Sequence, residues 1–177
     1  MKSESYKIKL RDINTFIFDV DGVLTDGTVL IDSNGEMLRR MNIKDGFAMK
    51  FAVDSGYNIS IITGGTNKAV KKRLISLGIS NIYLGSHNKI RTFNDYIKKY
   101  NLNPKNILYV GDDIPDISVM KEVGLSACPQ DAAHEVKAIS DYVSHKNGGQ
   151  GCVREIIEQV LRLSLIHIWR CRRLSVC

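Results

Sequence analysis

Residues 15–27 read TFIFDVDGVLTDG, and this stretch decides the fold. Thr15, Phe16, Ile17 and Phe18 carry no charge, and Asp19, Asp21 and Gly22 follow at once. A short apolar run bounded by a turn signal is the pattern of a strand buried on both faces, here expected over residues 15–20. Side chains two apart on a strand share a face, so Asp19 and Asp21 leave the strand end on one side. Gly22 lets the backbone bend there. Past the strand end one carboxylate can attack while the other handles protons. Two plainer readings exist. The pair could be Asx-turn aspartates opening a loop. A calcium loop fails, because the later oxygen ligands and the terminal Glu are missing.

Working outward, apolar runs alternate with helix-like segments. Further strands are expected over 58–62, 81–84, 106–110, 125–127 and 142–143. Helices are expected over 45–55, 66–77, 89–100, 115–123 and 153–163. Ser33-Asn34-Gly35 is a turn signal between residues 28–31 and 37–42, so 28–42 reads as a β-hairpin. Strands and helices alternating at these lengths imply βαβ units. The expected fold is α/β: a three-layer, Rossmann-like parallel sheet flanked by helices, with a small hairpin insertion and no separate cap domain. In such sheets ligands bind beyond the C-terminal strand ends, which gives the motifs below a shared location.

Gly111-Asp112-Asp113-Ile114-Pro115-Asp116 follows the strand expected over 106–110. Three carboxylates at one strand end repel one another unless a cation lies among them, and hard oxygen ligands suit Mg²⁺. Asp112 or Asp113 could instead cap a helix, with Asp116 in its first turn, and both readings can hold at once. Thr63-Gly64-Gly65 after the strand 58–62 could cradle a phosphate, although many strand–helix turns look alike. Lys89 opens a helix after Gly85-Ser86-His87-Asn88; a lone lysine is ordinarily a solvated surface residue.

In this order the four elements resemble the haloacid dehalogenase superfamily, whose pattern is D-x-D-G-x-x-T, then Ser or Thr, then Lys, then G-D-D-x-x-D. The match spans about residues 15–116. A response-regulator receiver would instead carry its acceptor Asp on the third strand. The resemblance implies a magnesium-dependent phosphoric monoester hydrolase with Asp19 as nucleophile and Asp21 as proton shuttle. Magnesium would be held by the Asp19 carboxylate, the Asp21 backbone carbonyl and Asp112. Thr63, Gly64 and Lys89 would bind the phosphoryl group, and Asp113 and Asp116 would support the metal ligands.

A narrower likeness, over about residues 6–163, lies with the capless sugar-acid phosphatases of that superfamily. It is carried by VDGVLTDG, by Asn34-Gly35-Glu36, by Lys44-Asp45-Gly46, and by residues 148–155, GGQGCVRE. The implied substrate is an eight-carbon keto-deoxy sugar acid 8-phosphate, serving lipopolysaccharide precursor synthesis. A nine-carbon 9-phosphate and a non-catalytic oligomerisation module are the alternatives. The likeness also implies a homotetramer with a central barrel of hairpins. Residues 146–155 would close over a neighbouring site, with Gly148, Gly149 and Gly151 as hinges and Arg154 as an anion contact. Many relatives carry Arg where this chain has Gly65, which bears on the substrate. The run Lys68, Lys71, Lys72, Arg73 could supply positive potential instead, or form a solvated helix face.

Composition sets the outer bounds. The 177 residues are 44% hydrophobic and 25% charged, which suits one domain, expected over residues 1–163. No apolar stretch reaches the ~18–20 residues of a membrane span. With no secretory signal at residues 1–10, a cytoplasmic protein is expected. The four cysteines form no C-x-x-C pair and read as free thiols in a reducing compartment. Residues 164–177, SLIHIWRCRRLSVC, hold the only Trp and three Arg with no acid. They resemble translated sequencing-adaptor read-through, a non-native or disordered tail; a basic amphipathic tail is the alternative. Its arginines supply half of the formal net charge of +6, so basicity gives no argument for nucleic acid or membrane partners.

Overall fold

The computed structural model describes residues 6–174, with side chains through residue 163. A short helix α1 (Tyr6–Lys9) and a 3-10 turn (Leu10–Asp12) lead into strand β1 (Thr15–Phe18). A hairpin follows, β2 (Leu30–Ile31) and β3 (Met37–Leu38), then α2 (Ile43–Asp54), β4 (Asn58–Ile62) and α3 (Lys68–Ser76). After β5 (Asn81–Tyr83) and α4 (Lys89–Tyr100) come β6 (Ile107–Val110), a 3-10 turn (Ile114–Asp116) and α5 (Ile117–Met120). The chain continues through β7 (Leu125–Cys128), α6 (His134–Ile139), β8 (Tyr142–Val143) and α7 (Cys152–Leu174).

Six strands form one parallel sheet in the order β5-β4-β1-β6-β7-β8. β1 is central, with Phe18 level with Ile61 of β4 on one side and Val110 of β6 on the other. The chain first builds outward through β4 and β5, then crosses to β6. The switch point therefore falls at the C-terminal end of β1, where an open α/β sheet has its binding crevice. Both sheet faces are covered. Phe16 and Phe18 pack with α2, α3 and α7, while Ile17 packs with Phe93 and Tyr96 of α4, Tyr109, and α5 and α6. Burial on both faces explains why β1 reads as a continuous apolar run. Truncating Phe18 to Ala would cost about 3–5 kcal/mol and would loosen the strand end that carries Asp19.

The expected α/β architecture is the observed one, with local differences. The helix expected over 115–123 divides into the 3-10 turn and α5, because Asp113 and Asp116 form a capping box around Pro115. Helix α6 has only Val136 buried, so it carries no apolar period for the sequence to display. The last helix runs to Leu174, beyond the expected end at 163. The expected tail of residues 164–177 thus has its first part in helical backbone. The side chains of 164–174 and all of 175–177 lie outside the described residues. Among the described residues, no helix is long and apolar enough to cross a membrane.

Candidate active site

Asp19 is the first residue past β1 and is buried. Its Oδ1 accepts from the Val20 amide at 2.7 Å, and its Oδ2 meets Lys89 Nζ at 2.7 Å. Lys89 is delivered by the start of α4, which Asn88 caps by accepting from the Arg91 amide at 3.1 Å. The same Nζ donates to Asp116 Oδ1 at 2.7 Å. Asp116 is fully buried, and each of its oxygens is used twice. Oδ1 also accepts from the Tyr109 hydroxyl at 2.5 Å, and Oδ2 accepts from the Asp112 and Asp113 amides at 3.2 and 3.3 Å. Asp116 is therefore saturated: it orients Lys89 and shapes the turn that presents Asp112.

Asp112 has the opposite character. Its Oδ1 is buried and has no hydrogen-bond partner among the described residues. A buried carboxylate oxygen left without a donor is costly. Oxygens of Asp19, Asp112 and Asp116 all lie within 4.8 Å of one another. Burial and the charges of Asp19 and Asp116 push Asp112 up to about 8. Burial, then Asp116, raises Asp19 to about 6 against the pull of Lys89. For Lys89 burial works against the cation, but Asp19 and Asp116 outweigh it and hold its pKa above the ordinary value. One lysine thus leaves the cluster short of positive charge. An unpartnered oxygen, an all-carboxylate donor set and excess negative charge fit a hard divalent cation held by Asp19 and Asp112.

Glycine at 22 is required by this packing. Gly22 has φ +84°, and a Cβ on it would lie 2.0 Å from Asp112 Oδ2. The Thr25 hydroxyl closes the loop by accepting from the Gly22 and Gly27 amides, each at 3.3 Å. Thr63 follows β4 and is buried; its hydroxyl accepts from the Gly65 amide at 3.2 Å. Asp19, Asp21, Gly22, Thr63, Gly64 and Lys89 share one cleft of about 430 Å³ with Asp112, Asp113 and Asp116. Asp113 is exposed at the rim, where its carboxylate caps the Ile114 amide at 2.8 Å.

Arg154 is not brought to this cleft within one subunit. It pairs with Glu158 at 2.7 Å and lines a separate cavity with Lys44, Lys146 and Arg162. Its amide, with that of Gly151, donates to buried Asp45 at 2.7 and 3.3 Å, which ties the start of α7 to α2. Gly148 and Gly149 press against the loop of residues 22–26. A Cβ on Gly148 would lie 1.8 Å from the Gly22 carbonyl oxygen, and the Gly149 amide donates to the Val23 carbonyl at 2.9 Å. Close backbone approach is thus the reason for glycine at both positions.

Sequence reasoning missed Arg39 and Tyr109. Arg39 follows β3, and its Nε and Nη2 donate to Asp21 Oδ1 and Oδ2 at 2.7 and 3.2 Å. Nothing local marks Arg39, because the contact exists only once the hairpin folds back over the β1 end. Tyr109 could have been suspected as a polar-tipped residue inside an otherwise aliphatic strand.

A family model of haloacid dehalogenase-like hydrolases matches residues 75–156, which include Lys89 and the acidic turn after β6. The 3-deoxy-D-manno-octulosonate 8-phosphate phosphatase of Salmonella typhi is 42% identical over 153 residues, 86% of this chain and 81% of the relative. Among solved structures, the 3-deoxy-D-manno-octulosonate 8-phosphate phosphatase of Moraxella catarrhalis, in complex with magnesium ion, phosphate ion and KDO, superposes with a TM-score of 0.88. It is 31% identical, over 95% of this chain and 97% of that one. The cobalt-bound deoxy-D-mannose-octulosonate 8-phosphate phosphatase of Haemophilus influenzae gives 0.84 at 32% identity, over 88% and 91%. This chain belongs to the haloacid dehalogenase-like hydrolases, on the branch occupied by the 3-deoxy-D-manno-octulosonate 8-phosphate phosphatases.

Proposed function

We propose that the chain is a magnesium-dependent phosphatase that hydrolyses 3-deoxy-D-manno-octulosonate 8-phosphate to the free sugar acid and phosphate. The step serves lipopolysaccharide precursor synthesis in the cytoplasm. The observation that carries the reading is the meeting of Asp19 and Asp112 at the C-terminal ends of two adjacent strands, β1 and β6, with an oxygen of Asp112 left for a cation. The 42% identity to a phosphatase of this substrate supports the choice of sugar acid.

An Asp19 oxygen attacks phosphorus in line, and the ester P–O bond breaks. Asp21 gives its proton to the departing sugar oxygen. The Asp21 carboxylate then takes a proton from water, whose oxygen attacks the aspartyl-phosphate, and the Asp19–phosphorus bond breaks to release phosphate. Asp19, the Asp21 backbone carbonyl and Asp112 would hold magnesium, which would supply positive charge to offset that of the phosphate. Thr63, the Gly64 backbone and Lys89 steady the phosphoryl oxygens. Asp116 keeps Lys89 in place, and Asp113 shapes the rim.

An open cleft discriminates small substrates poorly, and assembly supplies the cover. The two-residue strands β2 and β3 expose Leu30 (69%), Ile31 (64%), Met37 and Leu38. An isolated hairpin is marginal in water, and a contiguous apolar patch marks a protein interface. A homotetramer packing these hairpins together covers them, and brings Gly151 and Arg154 of one copy toward the cleft of another. Gly65, at a position where the resemblance expects Arg, makes the nine-carbon acid 9-phosphate the second candidate substrate. Phosphate release with magnesium, comparing kcat/KM on the two acid phosphates, tests the reading. A clear nine-carbon preference would replace the substrate, and no release from either would remove the enzyme.

A further inference from the structure

A sugar acid phosphate carries a carboxylate as well as a phosphate, and within one copy the cleft is short of cations to meet it. Among the described residues, Lys89 and His87 are the basic side chains that line the cleft, and Lys89 is already held between Asp19 and Asp116. On α3, Arg73 lies elsewhere: its Nη2 would be 2.7 Å from a Cβ placed on Gly46 of α2.

Arg39 answers this shortage. Its side chain is 10% exposed, and its guanidinium grips a carboxylate through two parallel N–H bonds, the geometry that makes arginine selective for that group. Nη1 donates to the Met37 carbonyl at 3.0 Å, which anchors the guanidinium to its own hairpin. The carboxylate it grips is Asp21, the proton shuttle. Gly65 also adjoins Asp21: a Cβ on it would stand 3.3 Å from Asp21 Oδ2, so position 65 offers only backbone there. A carboxylate arriving at Arg39 competes for the same two N–H groups that fix Asp21.

We propose that Arg39 recognises the carboxylate of the substrate and exchanges Asp21 for it. This rests on the sugar-acid reading above. An acid substrate then releases Asp21, which takes a proton from solvent and turns toward the leaving oxygen, whereas an ester without a carboxylate leaves Asp21 clamped. Arg39 becomes the residue that selects acidic phosphates, from a hairpin rather than from position 65.

The test is steady-state kinetics of the magnesium-loaded enzyme on the eight-carbon acid 8-phosphate and on p-nitrophenyl phosphate, which has no carboxylate. Parent, Arg39→Gln and Arg39→Lys are compared. Losing a charge-assisted pair should raise KM for the acid phosphate about 10-fold or more in Arg39→Gln. Turnover of p-nitrophenyl phosphate, whose leaving group needs no acid, should rise up to about 5-fold where hydrolysis of the aspartyl-phosphate limits it, because Asp21 is then free to take the proton from water. Arg39→Lys should recover part of the KM. Inhibition of p-nitrophenyl phosphate hydrolysis by the free sugar acid should weaken by about the same factor as KM rises. Equal loss of kcat on both substrates, or unchanged inhibition by the free acid, would overturn the proposal while leaving the phosphatase intact. A parent enzyme with no preference for the acid phosphate would overturn the sugar-acid reading and this proposal together.

Discussion

Replacing Asp112 by Asn should stabilise the metal-free protein while destroying its magnesium-dependent activity. The wild-type residue is half-buried with its Oδ1 enclosed and unpartnered, and its carboxylate lies close to those of Asp19 and Asp116. Its folded pKa of about 8, against 3.8 for a free carboxyl, means that ionising it opposes folding. The sign follows from linkage. A folded pKa raised above the unfolded one makes stability fall as pH climbs from about 4 to about 8. Taken alone, the shift is worth about 5 kcal/mol at pH 8. Asp19 responds to the same crowding, so about half of that, ~2–3 kcal/mol, is a fair expectation. For a chain of this size the change corresponds to about 5–10 °C in Tm. The assay is thermal unfolding in EDTA between pH 4.5 and 8, repeated with magnesium. Asp112→Asn should melt higher than the parent at pH 8, the gap should close toward pH 4.5, and only the parent should gain from magnesium. A variant that melts lower than the parent at pH 8 in EDTA would refute the reasoning, because Asp112 would then be a satisfied structural residue.

Gly22→Ala should unfold more easily by about 1–3 kcal/mol, since it combines a positive φ with a Cβ placed on the Asp112 carboxylate; its magnesium requirement in activity titrations should also rise. Tyr109→Phe removes a donor from Asp116 and should cost about 1–2 kcal/mol in urea unfolding, with kcat lowered more than KM as Lys89 loosens. Leu30→Asp places a charge on the exposed hairpin; under the proposed assembly it should sediment as a smaller species than the parent, with activity falling in step.

The central strands were legible because β1, β4 and β6 are covered on both faces and so read as largely apolar runs without charge, Thr15 and Ser60 being their small polar interruptions. Asp19, Asp21, Thr63 and the acidic run from Asp112 stood out for a related reason. A polar residue directly after such a run has to sit at the strand end. Lys89 was legible only through its company, as nothing around residue 89 announces that the side chain folds inward to two carboxylates. Arg39 and the Asp45 link to α7 were not legible, because each joins segments whose spatial relation the hairpin and the crossover set. The acidic turn also divides its labour in a way the sequence leaves open: Asp116 is consumed by Lys89, Tyr109 and two amides, while Asp112 keeps a free oxygen.

The most direct test of the mechanism is to quench a single turnover with acid, reduce with borohydride and map the modified residue by mass spectrometry. The account predicts homoserine at position 19, formed from the aspartyl-phosphate and requiring magnesium. Homoserine at any other aspartate, or full first-turnover phosphate release by Asp19→Asn, would contradict it.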